Sequence, residues 1–425
     1  MEIFQKLGLT VEKIWREKNY SEDLFPGIAE QTLNEFDLPN KVSAWNIVNW
    51  VLGEDYLPEQ RDLSGRFGDP PITLYNSPRF HIDIYFWLDG TTSIHQHSFC
   101  GAFQVILGSS IHSHYAFELE EAVNRFTEIG TLNLDDCELL KVGDVRPILA
   151  GRSFIHALFH LDQPSATIVV RTHRSPLHLP QFDYRKPFLA IDPFYEDVTT
   201  AKKLQTVSLM LRAKHSEADR LIAEWLENAD FQTTFTILSS IKNLLQNNYL
   251  EQLFNAQSAE DRYEKLFGIA RRRHGTLAEK LPDVFEKQQK VSEIVNRRGY
   301  ITNPEHRFFL ALMLNVEGKD RIFCLVRQRF PEHEPLEKIL DWVSELSRTK
   351  VFGSNVPNAL GIDSFNDFDL FVLEDLLKNS SVKEMQINRL RHTQHQNDEE
   401  SFDNLNKRIE KIRESVILEP LFLNG

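Results

Sequence analysis

Two histidines one residue apart, in the stretch SIHQHSFCGAFQVILG (residues 93–108), are the first candidates for chemistry. Residues i and i+2 of a β-strand point to the same face, so the imidazoles of His95 and His97 could reach one cation. The pair is weak evidence by itself, because the sequence contains 15 histidines and a second such pair, His112 and His114. The alternative is that His95 and His97 are polar residues of an exposed strand.

Glycines and a third histidine at defined distances strengthen the metal interpretation. His97 is followed by Gly101 and Gly108, and the stretch GDVRPILAGRSFIHALFH contributes Gly143, Gly151 and His156. Over about residues 70–185 this spacing resembles the two motifs of the cupin superfamily. The resemblance implies a cupin-like antiparallel β-barrel (a double-stranded β-helix) that binds a metal through His95, His97 and His156.

One departure from the cupin pattern changes the expected ligand set. The family carries a glutamate ligand at the position of Gly101, so the resemblance implies three histidines and no carboxylate. Three neutral imidazoles that leave further coordination positions of the metal open are suitable ligands for Fe(II), zinc, nickel or copper. Among these, Fe(II) is the expected cofactor.

The three-histidine set also resembles that of the thiol dioxygenases, especially the cysteine dioxygenases. The segments RFHIDIYFWLDGTTSIHQH and HALFHLDQPSATIVVRTHRSPL are similar to the ligand segments of that family. The resemblance implies an oxygenase that oxidises a small, anionic or thiol-containing metabolite with dioxygen. Two alternatives stay open: a non-oxidative cupin isomerase or hydrolase, and a non-enzymatic metal or ligand sensor.

The strand after the third histidine carries a candidate substrate anchor. Thr167, Val169 and Arg171 stand where the thiol dioxygenases have serine, histidine and tyrosine, and their spacing puts them on one face. If that face is interior, Arg171 is a buried guanidinium that needs an anionic partner, such as a substrate carboxylate or phosphate. The alternative is an outward Arg171 paired with a surface acid, since a shift of one residue exchanges the faces.

Four more residues are candidates for contact with the substrate or with a ligating histidine. His160 falls where the second cupin motif places an asparagine and is a candidate catalytic residue. His112, His114 and Tyr115 lie on the strand that follows Gly108. A second metal site at the two histidines, or a plain polar role for them, are the alternatives.

The candidate residues lie in a part of the sequence whose pattern is typical of β-strands, between two segments with helical patterns. Short β-rich runs separated by Gly, Asp, Ser and Pro fill residues 66–198, a pattern typical of a sandwich or barrel. Residues 1–65 are expected to form helices that pack on the barrel, and residues 199–425 show the 3.6-residue period of amphipathic helices. The sequence therefore predicts a multi-domain α+β protein in which a cupin-like barrel precedes an all-α domain.

Composition limits the classes of partner. The chain has 425 residues, a net charge of −14 and only three, widely spaced cysteines. This charge argues against binding to nucleic acid or to an anionic membrane, and the cysteines fit no disulfide framework. Because no hydrophobic signal region or run of 18 apolar residues occurs, a cytoplasmic location is expected. The helical domain could bind a protein partner or self-associate.

Overall fold

The structure is a computed structural model that describes residues 1–63, 65, 67–88, 93–193, 197–246, 259–351, 357–392 and 402–423. Contacts divide the chain into two units. The first comprises Met1–Ala116, Asn133–Leu179 and Lys290–Gly425, and the second comprises Phe117–Leu132 and Pro180–Gln289. The three segments expected from the sequence, 1–65, 66–198 and 199–425, stay a prediction.

The described residues form eleven strands. In chain order they are β1 (Pro71–Asn76), β2 (Phe80–Trp87), β3 (Ile94–His97), β4 (Gly101–Leu107), β5 (Ser110–Asn124), β6 (Thr127–Leu140), β7 (Val145–Ile148), β8 (Gly151–His160), β9 (Ser165–Thr172), β10 (Asp183–Arg185) and β11 (Leu189–Ile191). Five of them form a sheet in the order β1-β2-β9-β4-β7, and six form a closed barrel in the order β10-β11-β6-β5-β8-β3. All registered pairs in the site region are antiparallel. The prediction of a multi-domain α+β fold with an antiparallel β-barrel followed by helices is confirmed.

The two faces of β2 have different roles because side chains alternate along a strand. Phe80, Ile82 and Ile84 pack in a core that includes Phe4 and Phe25 from the N-terminal helices. The other face turns to the interior shared by the two sheets. Its apolar part includes Tyr85, Trp87, Phe99, Phe103, Phe154 and Leu158. The candidate residues lie in this interior.

Helices precede and follow the strands. In chain order they are α1 (Glu2–Glu17), α2 (Phe25–Phe36), α3 (Ala44–Gly53), α4 (Val198–Arg212), α5 (Ala218–Asn228), α6 (Phe231–Gln246), α7 (Ala259–His274), α8 (Thr276–Tyr300), α9 (Pro304–Asn315), α10 (Lys319–Arg329), α11 (Pro335–Arg348), α12 (Asp367–Leu377), α13 (Val382–His392) and α14 (Phe402–Arg413). Within these ranges, no helix combines the length and the apolar character needed to cross a bilayer.

Each unit has a helical core of its own. In the first unit, Phe308, Trp342 and Leu373 pack in one core with Ile111 and Phe159 from the strands. In the second unit, residues such as Ile222, Leu238 and Phe267 form another core with Ile129 and Leu189. The C-terminal helices of the first unit are therefore packed directly on the barrel strands that carry the candidate site.

Candidate metal centre

Strands β3 and β8 bring the three predicted ligands together. His95 and His156 are Cα partners across these strands, and directly opposed residues point to the same face. The register shifts between His95 and His97, so that His97 lies opposite Gly151. All three side chains are buried, and one nitrogen from each lies within 4.8 Å of the others. The structure therefore assembles the three-histidine group that the spacing predicted.

Hydrogen bonding fixes which nitrogen of His95 can bind a cation. Its Nδ1 lies 2.7 Å from the carbonyl oxygen of Ser93. Because a carbonyl only accepts, Nδ1 must carry the proton and donate it, so in the neutral ring Nε2 is the nitrogen that can act as a metal ligand. Histidines that bind metals are commonly oriented in this way by a carbonyl or a carboxylate.

His156 is oriented by a chain of two further side chains. The Glu138 carboxylate lies 3.1 Å from Nδ1 of His112, and Nε2 of His112 lies 2.9 Å from Nδ1 of His156. Burial raises the pKa of Glu138, but the hydrogen bonds from His112 and Arg146 and the positive charge of Arg146 outweigh it and lower the pKa to about 2. Burial also lowers the pKa of His112 to about 4, so this ring is neutral. A carboxylate accepts from His112 Nδ1–H, so His112 Nε2 accepts from His156 Nδ1–H. Nε2 of His156 is then left as a lone pair.

Burial favours the neutral forms of His97 and His156. Burial lowers the pKa of His97 and His156 well below the usual value, and the neighbouring histidines lower both further. Nε2 of His97 lies 2.8 Å from Nε2 of His156, and Nδ1 of His97 is buried without a hydrogen-bond partner in the described chain. With its proton on Nε2, His97 would donate to His156, and with its proton on Nδ1, the two Nε2 lone pairs would face one cation. The donor set therefore fits a divalent metal.

A second metal site at His112 and His114 competes with this arrangement. Together with Glu138 they form another group whose ligand atoms lie within 4.8 Å of one another. A metal on Nδ1 of His112 would move the proton of that ring to Nε2, which would then donate to His156. His156 would have to carry its own proton on Nε2 and could not bind the first metal. Glu138 also accepts two hydrogen bonds from Arg146, of 2.8 and 2.5 Å. The geometry thus favours His112 as a hydrogen-bond partner of His156.

Close strand packing explains the missing carboxylate ligand. Gly101 starts β4 and is the Cα partner of Arg171 on β9. A Cβ atom at position 101 would lie 2.0 Å from the carbonyl oxygen of Val170 and 2.8 Å from Cα of Arg171. No side chain fits at these separations unless the backbone moves. The β4–β9 contact therefore excludes a side chain, and with it a carboxylate ligand, at position 101.

Arg171 lies beside the histidines, which resolves the question of strand parity in favour of the inward position. Its guanidinium carbon is 3.4 Å from the centre of the Phe99 ring, and that ring is 4.4 Å from the ring of His97. Nε of Arg171 is buried and has no hydrogen-bond partner among the described residues. A cation with an unused donor thus borders the metal-binding group.

A polar row on β2 faces the same interior. Asp83 accepts a hydrogen bond of 2.9 Å from the hydroxyl of Tyr85, and Nε2 of His81 lies 3.2 Å from the same carboxylate oxygen. His81 is the Cα partner of Arg171. Burial raises the pKa of Asp83, but the hydrogen bond and the charge of His81 lower it more. Asp83 is thus an anion next to the cationic Arg171.

The structure does not bring every predicted residue to the metal group. His160 is four residues from His156, roughly 13 Å along a strand. Its Nδ1 contacts the hydroxyls of Ser165 and Ser110 at 2.8 and 3.2 Å, its ring stacks on Trp87, and burial lowers its pKa to about 3. These contacts give His160 a local role in the barrel interior, and its catalytic role stays a prediction.

The other candidates divide by strand parity. His114 is the Cα partner of His156 and faces the interior, whereas Tyr115 is the partner of Ile155 and points to the opposite face. The structure therefore places His114, but not Tyr115, on the face of the three histidines. Cys100 is buried, and burial raises the pKa of its thiol to about 11, which agrees with a small apolar role.

Three residues that contact the site were not predicted from the sequence: Glu138, Arg146 and Ser93. Glu138 and Arg146 are charged residues on β6 and β7, on either side of the turn at Gly143. Charged residues within β-strands were the available signal, but which face they occupy depends on the register. Ser93 contributes only a backbone carbonyl, for which no side-chain signal exists.

Comparison with known proteins yields only distant likenesses. No family model and no curated protein sequence matches this chain. Among solved structures, KdgF from Halomonas sp. is 16% identical, with 29% of this chain and 92% of that chain covered and a TM-score of 0.19. A cupin superfamily protein from Desulfitobacterium hafniense is 15% identical, with 27% and 94% covered and a TM-score of 0.18. An oxalate oxidase in complex with glycolate is 15% identical, with 29% and 61% covered and a TM-score of 0.19. Such values carry no argument about activity.

Removal of the Glu138 charge tests the hydrogen-bond chain. In Glu138→Gln, His112 loses its anionic acceptor and no longer holds the proton of His156 on Nδ1. We expect metal affinity, measured by competition with a chelator, to fall roughly 10- to 100-fold. Glu121→Gln changes an exposed glutamate of β5 and should leave affinity unchanged. Equal affinities for the two variants would show that Glu138 does not orient His156.

Proposed function

We propose that this protein is a metal-dependent cupin-type oxygenase that oxidises a small, anionic or thiol-containing metabolite with dioxygen. Fe(II) would be held by Nε2 of His95, His97 and His156. The observation that carries the proposal is the buried cluster of His95, His97 and His156, whose ligand nitrogens lie within 4.8 Å of one another. Beside it lies Arg171, whose Nε is buried without a hydrogen-bond partner among the described residues.

The charge of the ligand set favours an anionic substrate. Three neutral imidazoles leave the charge of a divalent ion uncompensated, and Gly101 excludes a protein carboxylate from the position that the cupin motif reserves for it. When bound, Fe(II) would supply the redox chemistry by which dioxygen reacts with an organic substrate. An anionic group on the substrate would provide the charge that the protein leaves out.

The side chains around the group would bind and orient that substrate. Arg171 offers a donor for the anionic group, and its stacking on Phe99 limits the positions the guanidinium can take. Asp83, which accepts a hydrogen bond from Tyr85, would contact a donor group of the substrate. The rings of Phe103 and Phe154 would keep water from the reacting groups. Positioning of this kind is a large part of enzymatic rate enhancement.

Oxygen uptake by the iron-loaded protein tests the proposal. The anaerobically reconstituted protein would be mixed with small thiols and with small carboxylic acids, and dioxygen consumption would be followed with an electrode. We expect uptake with at least one compound, and none after His156→Ala. Uptake that is absent throughout, with iron bound, would reject the oxygenase. Turnover of an anionic substrate with zinc or nickel instead would favour a non-oxidative enzyme.

Arg171 should control affinity for anions. Arg171→Met keeps an unbranched apolar side chain but removes the charge. Small carboxylates should therefore bind the cobalt-loaded protein about 100-fold more weakly. The shift of the cobalt absorption bands on titration measures this affinity. Arg171→Lys should recover part of it, because the charge returns without the planar donor array. The exposed Arg125→Met serves as the control, and an equal effect of both methionine variants would contradict the role of Arg171.

A further inference from the structure

A second arginine with unused donors lies outside the metal centre, near the C-terminal end of α8. Arg297 is only 6% exposed, and both its Nε and its Nη1 are buried without a hydrogen-bond partner within the described ranges. Its nearest acid is Glu293, whose carboxylate lies 3.6 Å from Nη2 and is 38% exposed. That separation is longer than a hydrogen bond. The Arg297 guanidinium is thus buried with little compensation.

Gly361 comes close to Arg297, and two further arginines lie nearby in sequence and on the next helix. A Cβ atom at Gly361 would lie 2.4 Å from Nη2 of Arg297, and Gly361 has a φ of +77°, so a side chain at position 361 would be strained and would displace the guanidinium. Arg298 is also buried and lies over the Phe159 ring, at 4.6 Å. Arg307 donates to the carbonyl oxygen of Arg298 at 2.6 Å. Arg297 therefore lies beside Gly361, while Arg298 and Arg307 use their donors on other carbonyl groups.

A helix-end role alone does not account for Arg297. Basic residues in the last turn of a helix interact well with the free carbonyls there, and Arg307 bonds to two of these, on Arg298 and Ile301. Among the described residues Arg297 makes no such bond from Nε or Nη1. A buried charge without a partner is strongly unfavourable, so an anion at this position would be stabilised by it.

We propose that the junction of α8 and α9 is a binding site for a small oxyanion, such as phosphate or sulfate, with Arg297 as its principal ligand. A guanidinium binds oxyanions through several parallel donors, and Arg297 has them available. The site is independent of the metal centre and of the oxygenase chemistry. Its neighbour Arg298 donates from Nη2 to the carbonyl oxygen of His160 at 3.3 Å, which connects the site to the strand that carries His156.

Thermal unfolding of the full-length protein tests the site. The midpoint would be measured against increasing sodium phosphate, with sodium chloride at matched ionic strength as the reference. We expect phosphate to raise the midpoint of the wild-type protein in a saturable way. Arg297→Met should abolish this rise, and without phosphate the variant should be at least as stable as wild type, because a buried uncompensated charge has been removed.

Two further variants separate anion binding from a structural role. Arg297→Lys keeps the charge and should bind phosphate roughly tenfold more weakly. Arg272→Met alters an exposed arginine of α7 and should respond as wild type does. The proposal is overturned if phosphate fails to raise the wild-type midpoint or raises that of Arg297→Met equally. Unfolding of Arg297→Met, or a lower midpoint without phosphate, would identify Arg297 as a structural residue and overturn it too.

Discussion

His156→Ala should abolish tight metal binding, with a loss in affinity of more than about 100-fold, since changes to the partners of ligating histidines alone cost 10- to 100-fold. His156 is central because its two nitrogens have separate roles. Nδ1 faces His112 and, through it, Glu138, while Nε2 faces His97 at 2.8 Å. Loss of the ring removes one ligand and disconnects the anchoring chain in a single step. Elemental analysis after dialysis against a weak chelator measures the outcome.

A matched histidine variant controls for general effects of the substitution. His333 is exposed and lies between α10 and α11, so His333→Ala should keep the metal content of the wild-type protein. His95→Ala and His97→Ala should behave as His156→Ala does. If metal content survived in all three, the histidine cluster would be polar filling of the barrel and the proposed function would fail with it.

Gly101→Ala should destabilise the protein by about 3 kcal/mol or more, as expected when an atom is forced into a closely packed region. The new Cβ would lie 2.0 Å from the carbonyl oxygen of Val170, and both groups belong to backbone that is hydrogen-bonded in the sheet. Flexible side chains can move away from such a contact, but paired strands cannot without losing hydrogen bonds. Urea unfolding followed by tryptophan fluorescence measures the change.

Two comparisons make the Gly101 result specific. Gly27 lies in α2 with nothing within 4 Å of its Cβ position, so Gly27→Ala should be neutral or slightly stabilising, by about 0.5–1 kcal/mol. Gly101→Glu should fail to add a fourth metal ligand, because its Cβ meets the same obstacle. If Gly101→Glu folded normally and bound metal more tightly, the β4–β9 contact would not be what excludes the carboxylate.

Local sequence patterns were enough to predict the β-rich and helical segments and the group of three histidines. Both depend on local periodicity, which the chain carries residue by residue: His95 and His97 share a face because the side chains of a strand alternate. The spacing to His156 added the third member through its resemblance to the cupin motifs. Metal identity, substrate, partners and cellular location stay predictions.

The contacts that orient these residues depend on how the strands pair in the folded protein. Glu138, His112 and His156 lie on three different strands, so their hydrogen-bond chain depends on the registers of β6, β5 and β8. Whether Arg171 points inward depends on the register of β9, because one bulge or a shift of one residue would move its side chain to the other face. In the sequence, Gly101 stands where the cupin motif has a glutamate ligand. In the structure, β9 lies too close to position 101 for a side chain. Contacts between residues far apart in sequence are set by strand pairing, which local periodicity does not encode.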